Sequence, residues 1–186
     1  MAITVHKLGT SVVFDPGLQQ AAPAVVLFGG LYGWEGPWFK EHLPANTLNE
    51  MIFACPLHYT NDCADALKDL SSVISDDKIS SYSLCGYSRG GIEVYRYKDL
   101  KDWKILGLID PSAPTMGKFP DTVLDSQKSK IRCFYNLGNW EGADYYPKIQ
   151  SFHQHLIDIK ADLTDEAHLH QNIPKFFFLK YGAAFK

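Results

Sequence analysis

The chain has 186 residues, 46% of them apolar and 21% charged, and a net charge of −3. That length suits one domain spanning residues 1–186 with a full hydrophobic core, and so mild a charge, without a long basic run, argues against a nucleic-acid partner. No stretch approaches the roughly 18 apolar residues of a membrane span, and the opening MAITVHKLGTSVVF lacks the basic and apolar regions of a secretory signal.

Thr4 to Phe14 is rich in β-branched residues and predicts a strand or the start of a hairpin, followed by the turn Asp15-Pro16-Gly17. Ala24 to Phe28, AVVLF, is a short apolar run of the kind found in a central strand buried on both faces. It ends in Gly29-Gly30. Leu31 to His42 is aromatic and glycine-rich and predicts a short helix after Gly36-Pro37. Met51 to Ala54 predicts a second buried strand, stopped by Cys55-Pro56. In Asn61 to Ile74, residues Ala64, Leu67, Leu70, Ser71 and Ile74 fall near helical spacing, with Asn61 or Asp62 as cap. Asp76-Asp77 turns the chain into a strand running to Gly86, and Gly90 to Tyr97 predicts a helix.

Lys104 to Ile109 and Ile131 to Leu137 predict further strands, with a loop or short helix over Pro120 to Lys130. Tyr145 to His155 predicts a helix, Leu156 to Ala161 a short last strand, Thr164 to Asn172 a polar loop, and Ile173 onward a closing helix. Alternating strands and helices imply an α/β fold: three layers, with a mainly parallel sheet between helices. Ligands in such sheets bind at the carboxyl ends of the strands. Cys55, Cys63, Cys85 and Cys133 are widely spaced with no C-x-x-C, which reads as buried free thiols in a reducing, cytoplasmic setting.

The stretch Gly86-Tyr87-Ser88-Arg89-Gly90 matches G-x-S-x-G between a predicted strand and a predicted helix, the context of a nucleophile elbow. Side chains flanking the serine would collide in so tight a turn, and glycines let the backbone pass. A serine hydroxyl needs a base to take its proton, and the base needs a carboxylate to orient it. His168 and His170 precede the closing helix, where the base belongs; His170, opening HQNIP, is preferred. Three carboxylates follow strand ends. Asp144 and Glu141 lie after the strand at Leu137, and Asp110 ends the previous one. Asp144 ranks first, then Glu141, then Asp110, whose Asp110-Pro111 pair also reads as a turn. An oxyanion needs donors: the backbone N–H of Arg89, and one from Gly30 or Leu31 in the glycine loop. Tyr32, Trp34, Trp38, Tyr87, Trp140 and Tyr145 are aromatics that could line an acyl pocket or simply be core.

Taken together, Gly86 to Gly90, the Gly29-Gly30 loop, a late acid and His170 resemble the α/β-hydrolase superfamily, over nearly the whole chain and without a specified subfamily. The resemblance implies cofactor-free hydrolysis of a small-molecule ester or thioester. Two departures are visible: Phe28 stands where many members have histidine, and the chain is too short for a sizeable lid, which implies a compact, open site. A catalytically inactive binding protein on the same fold is the alternative. The H-x-H pairs His153/His155 and His168/His170 suggest zinc only weakly, without a fuller ligand motif, and no metal is expected. No phosphate-binding glycine motif is present, and nothing in the sequence sets an oligomeric state.

Overall fold

The computed structural model describes residues 3–30, 41–58, 60–112 and 125–186. The helix expected after Gly36-Pro37, with Tyr32, Trp34 and Trp38, lies outside them. Among the described residues, eight strands form one sheet in the order β1-β2-β4-β3-β5-β6-β7-β8. They are β1 (Thr4–Lys7), β2 (Ser11–Asp15), β3 (Ala22–Phe28), β4 (Ile52–Pro56), β5 (Ile79–Tyr87), β6 (Leu106–Ile109), β7 (Ile131–Tyr135) and β8 (Asp162–Asp165). Two pairings are antiparallel, β1 with β2 in a hairpin and β2 with β4; the other five are parallel.

The helices are α1 (Ala45–Glu50), α2 (Cys63–Val73), α3 (Gly91–Tyr97), α4 (Tyr146–Asp158) and α5 (Ile173–Phe185). They cover both faces, and β3 shows how the sequence divides between them. Its seven residues are all buried. Ala24, Val26 and Phe28 pack with Ala66 and Leu70 of α2, Val94 of α3 and Phe152 of α4. Val25 and Leu27 point the other way, to Leu48 of α1 and Phe177, Phe178 and Phe185 of α5. An apolar strand with no polar alternation therefore occupies the middle layer of three, because both of its faces meet helices. The four cysteines are buried free thiols, and burial pushes the Cys63 thiol up to about 12. No helix among the described residues is long and apolar enough to cross a membrane.

Two expectations fail near the end of the chain. Leu156 to Ala161 is not a strand. Ile149, Phe152, His153 and Leu156 are buried at three- and four-residue spacing, so helix α4 continues to Asp158. The last strand instead uses Asp162–Asp165, from a stretch expected to run into a polar loop. It is an edge strand with one buried residue, held to β7 through its backbone. Helix α1 had no expectation at all.

The sheet sets the position of the site. Strand β3 lies between β4 and β5, so the strand order reverses there, and the carboxyl ends of β3 and β5 are where a sheet of this kind takes its ligands. Phe28-Gly29-Gly30 leaves one end and Tyr87-Ser88 the other. Close packing beside β5 demands a residue without a side chain at Gly107 of β6. A Cβ there would stand 2.4 Å from Cys85 Sγ and 2.9 Å from Phe177 Cζ. At Gly182 of α5, by contrast, a Cβ would meet nothing within 4 Å. Gly107→Ala should therefore lower the stability to chemical denaturation by about 1–3 kcal/mol through overpacking, whereas Gly182→Ala should raise it by up to about 1 kcal/mol.

Candidate active site

Strand β5 becomes fully buried over its last five residues and delivers the chain to Ser88. A 3-10 turn, Ser88–Gly90, follows and runs directly into α3. Ser88 has φ +52°, in the left-handed region that a serine occupies only at a cost of about 1–3 kcal/mol. The flanking glycines make that geometry attainable. A Cβ on Gly86 would lie 2.1 Å from the carbonyl oxygen of Gly90, and one on Gly90 would lie 2.5 Å from that of Phe28. Neither position can carry a side chain while β5, the turn and the end of β3 stay this close. Ser88 itself is half-buried. The Cβ position of Gly30 is 3.4 Å from Ser88 Cβ, so the backbone leaving β3 runs alongside the serine. Leu31, the alternative to Gly30, lies outside the described residues. Arg89 is the first residue after Ser88 in the turn.

His170 opens the 3-10 turn His170–Asn172, which leads into α5. Its ring stacks on Tyr87, the residue before Ser88, with centroids 4.6 Å apart. The edge of Trp140 meets it at 5.0 Å. The Tyr87 hydroxyl donates to the His170 carbonyl at 3.2 Å. Burial, and then the charge of Asp110, push that hydroxyl up, so it stays a donor. The imidazole thus stacks on a residue of the elbow and makes a T-shaped contact with an indole.

The carboxylate at His170 is Asp110. Its Oδ2 lies 2.6 Å from His170 Nδ1. Asp144, the first-ranked expectation, is an exposed turn residue just ahead of α4, which carries a proline in its first turn. Glu141 is exposed as well. Asp110 follows β6, the direct neighbour of β5, and is fully buried. The segment leaving β7 supplies donors to it in place of an acid. Asp110 Oδ1 accepts from the Asn136 N–H at 3.0 Å and from Trp140 Nε1 at 3.2 Å, and Oδ2 also accepts from Asn139 Nδ2 at 2.9 Å. Asp110 has φ +40°, a second non-glycine residue in the left-handed region. Two residues on, the Ser112 N–H donates to the Ser88 carbonyl at 3.1 Å, tying the carboxylate's loop to the elbow.

His168 faces elsewhere. Its ring stacks on Phe176 at 3.6 Å, and its Nε2 lies 3.3 Å from Glu166 Oε2. His153 is buried on α4, with Nε2 3.4 Å from Asp165 Oδ2, and burial lowers its pKa ahead of the opposing pull of that carboxylate. The two H-x-H pairs therefore do not converge, and no group of three metal-ligating side chains occurs among the described residues. Of the aromatics singled out in the sequence, Tyr87 and Trp140 contact His170, and Tyr145 packs 6.1 Å from Trp140. Nothing in the residue pattern singled out Asn136 or Asn139, or marked Trp140 as a donor. Their signal was faint: the strand at Tyr135 is followed by two asparagines and a tryptophan before any acid.

No protein-family model matches the chain, and no curated protein matches it by sequence. Solved structures do. Est1E from Butyrivibrio proteoclasticus superposes with a TM-score of 0.60 at 13% identity, over 100% of this chain and 96% of its own. The siderophore hydrolase EstB from Aspergillus nidulans gives 0.61 at 10% identity, over 98% and 93%. An S-formylglutathione hydrolase from Staphylococcus aureus gives 0.62 at 10% identity, over 100% and 96%. Identities this low speak for architecture alone, and the architecture agrees over the full length: this chain has the α/β-hydrolase fold.

Proposed function

We propose that the protein is a serine hydrolase that cleaves a small carboxylic ester or thioester through an acyl-enzyme. The observation that carries this reading is the 2.6 Å bond from buried Asp110 to His170, whose ring lies on the residue preceding a strained elbow serine. Similarity of fold to proteins named as esterases and hydrolases supports it.

In this reading Asp110 accepts the Nδ1 proton of His170, which leaves Nε2 as the basic nitrogen. Nε2 takes the Ser88 Oγ proton as the oxygen attacks the substrate carbonyl carbon. The carbonyl π electrons move onto oxygen, and the oxyanion receives the backbone N–H groups of Arg89 and Gly30. Collapse of the tetrahedral intermediate breaks the bond to the alcohol or thiol, which leaves with the proton from His170. Water then repeats the sequence on the acyl-enzyme, its proton passing through His170 back to Ser88. The carboxylate assigned to the triad is Asp110, replacing the expected Asp144.

A fluorophosphonate probe is expected to label the wild type and to leave Ser88→Ala unlabelled. A folded wild-type protein that takes no label overturns the proposal and favours an inactive binding protein on this fold. Asp110→Asn should lower kcat for p-nitrophenyl acetate by about 10⁴-fold, the loss typical of a triad carboxylate turned into an amide. Asp144→Asn should keep wild-type turnover in the same assay. The opposite ranking would return the acid to Asp144.

A further inference from the structure

Asn139 Nδ2 donates twice, to Asp110 Oδ2 at 2.9 Å and to the His168 carbonyl at 3.1 Å. Both partners are acceptors only, so the side-chain amide can sit one way round: its nitrogen must face them. Its oxygen accepts from Asn136 Nδ2 at 3.1 Å, and that same nitrogen reaches the His168 carbonyl at 2.7 Å. Asn136 Oδ1 in turn accepts from the Gly138 N–H at 3.0 Å. Each hydrogen of the two amide nitrogens has an acceptor, and both lone pairs of the His168 carbonyl are used. The four acceptor positions of Asp110 are filled as well, two on each oxygen.

His168 lies two residues before His170, so a bond to its carbonyl fixes the start of the turn that carries the imidazole. The Tyr87 hydroxyl fixes the carbonyl of His170 itself. Asn139 therefore bonds the carboxylate of the Asp110–His170 pair directly and the backbone two residues before the imidazole. A complete network of this kind holds a unique arrangement, and loss of one member leaves buried acceptors unmet.

We infer that Asn139 is a positioning residue, which sets the distance and angle between Asp110 and His170 by bridging the carboxylate to the loop of the base. The inference rests on the serine-hydrolase reading above. Asn139→Ala should lower kcat for p-nitrophenyl acetate by up to about 100-fold, the scale of a misplacement near 1 Å, with KM little changed because both amide hydrogens are already taken by Asp110 and the His168 carbonyl. Asn139→Asp keeps the shape, loses both donors and puts a second negative charge beside the pair. That charge favours the protonated imidazole, so the acidic limb of the kcat/KM profile should move to higher pH.

Rates are to be normalised to the fraction of enzyme titrated by the fluorophosphonate, which removes any loss of folded protein. Wild-type kcat per titrated site in Asn139→Ala, with an unmoved acidic limb in Asn139→Asp, overturns the inference and leaves Asn139 a stabilising residue only. The downfield proton resonance of His170 Nδ1–H gives a readout that needs no turnover. It should be broadened or lost in Asn139→Ala, and an unchanged resonance counts against the inference. A wild type without label or turnover is a failure of the hydrolase reading, and the resonance then still decides whether Asn139 orders the pair.

Discussion

A carboxylate with no solvent exposure has to find its partners inside the protein, and much of this site follows from meeting that demand for Asp110. An ionised group buried without partners costs several kcal/mol or more. Here water is replaced by four donors: a backbone N–H, an indole, a carboxamide and an imidazole. Three come from the short segment leaving β7. Only one comes from the loop before α5. The segment after β7 is thus shaped by the end of β6, and its own acidic residues, Glu141 and Asp144, are left to solvent. Trp140, which reads in the sequence as either a pocket or a core aromatic, is buried where its N–H has a fixed acceptor and its ring has His170 to pack on.

The elbow obeys a different constraint, one of excluded volume. Gly86 and Gly90 are required because carbonyl oxygens occupy the places where side chains would be. This is why the sequence pattern could be read with some force: a steric requirement at fixed spacing leaves fixed residue types. The pairing of Asp110 with His170 leaves no such trace. Asp110 and His170 are 60 residues apart, and any of three strand-end carboxylates satisfies the order serine, acid, histidine. Choosing among them needs the loop conformations, which the residue types alone do not dictate. Asp144 looks favourable by position, yet it stands at the entry to α4, where the chain turns outward before Pro147.

The same contrast explains the rest of what was legible. β3 and β4 could be read because burial on both faces demands unbroken apolar runs. α2 could be read from its spacing and from Asp62, which does cap it by accepting from the Ala64 N–H at 2.7 Å. β8 could not. Its residues, Asp162, Leu163, Thr164 and Asp165, carry almost no apolar pattern, and the strand exists because β7 offers a row of backbone partners. An edge strand of four residues is set by its neighbour more than by its own composition.

Strain links the two constraints. Ser88 and Asp110 both hold left-handed backbone conformations, and both stand just past the ends of adjacent parallel strands. Such conformations persist only where the surroundings over-determine them. At Ser88 the surroundings are the close-packed glycines and the helix that starts at once behind the turn. At Asp110 they are the Phe134 carbonyl, which accepts its N–H at 2.7 Å, and the four donors on its side chain. The Ser112 N–H to the Ser88 carbonyl then fastens one strained turn to the other. That bond ties the position of the serine to the loop that carries the carboxylate. Asp144, exposed beyond β7, lies outside this coupling, which is a physical reason for His170 to meet its carboxylate on the strand beside the serine.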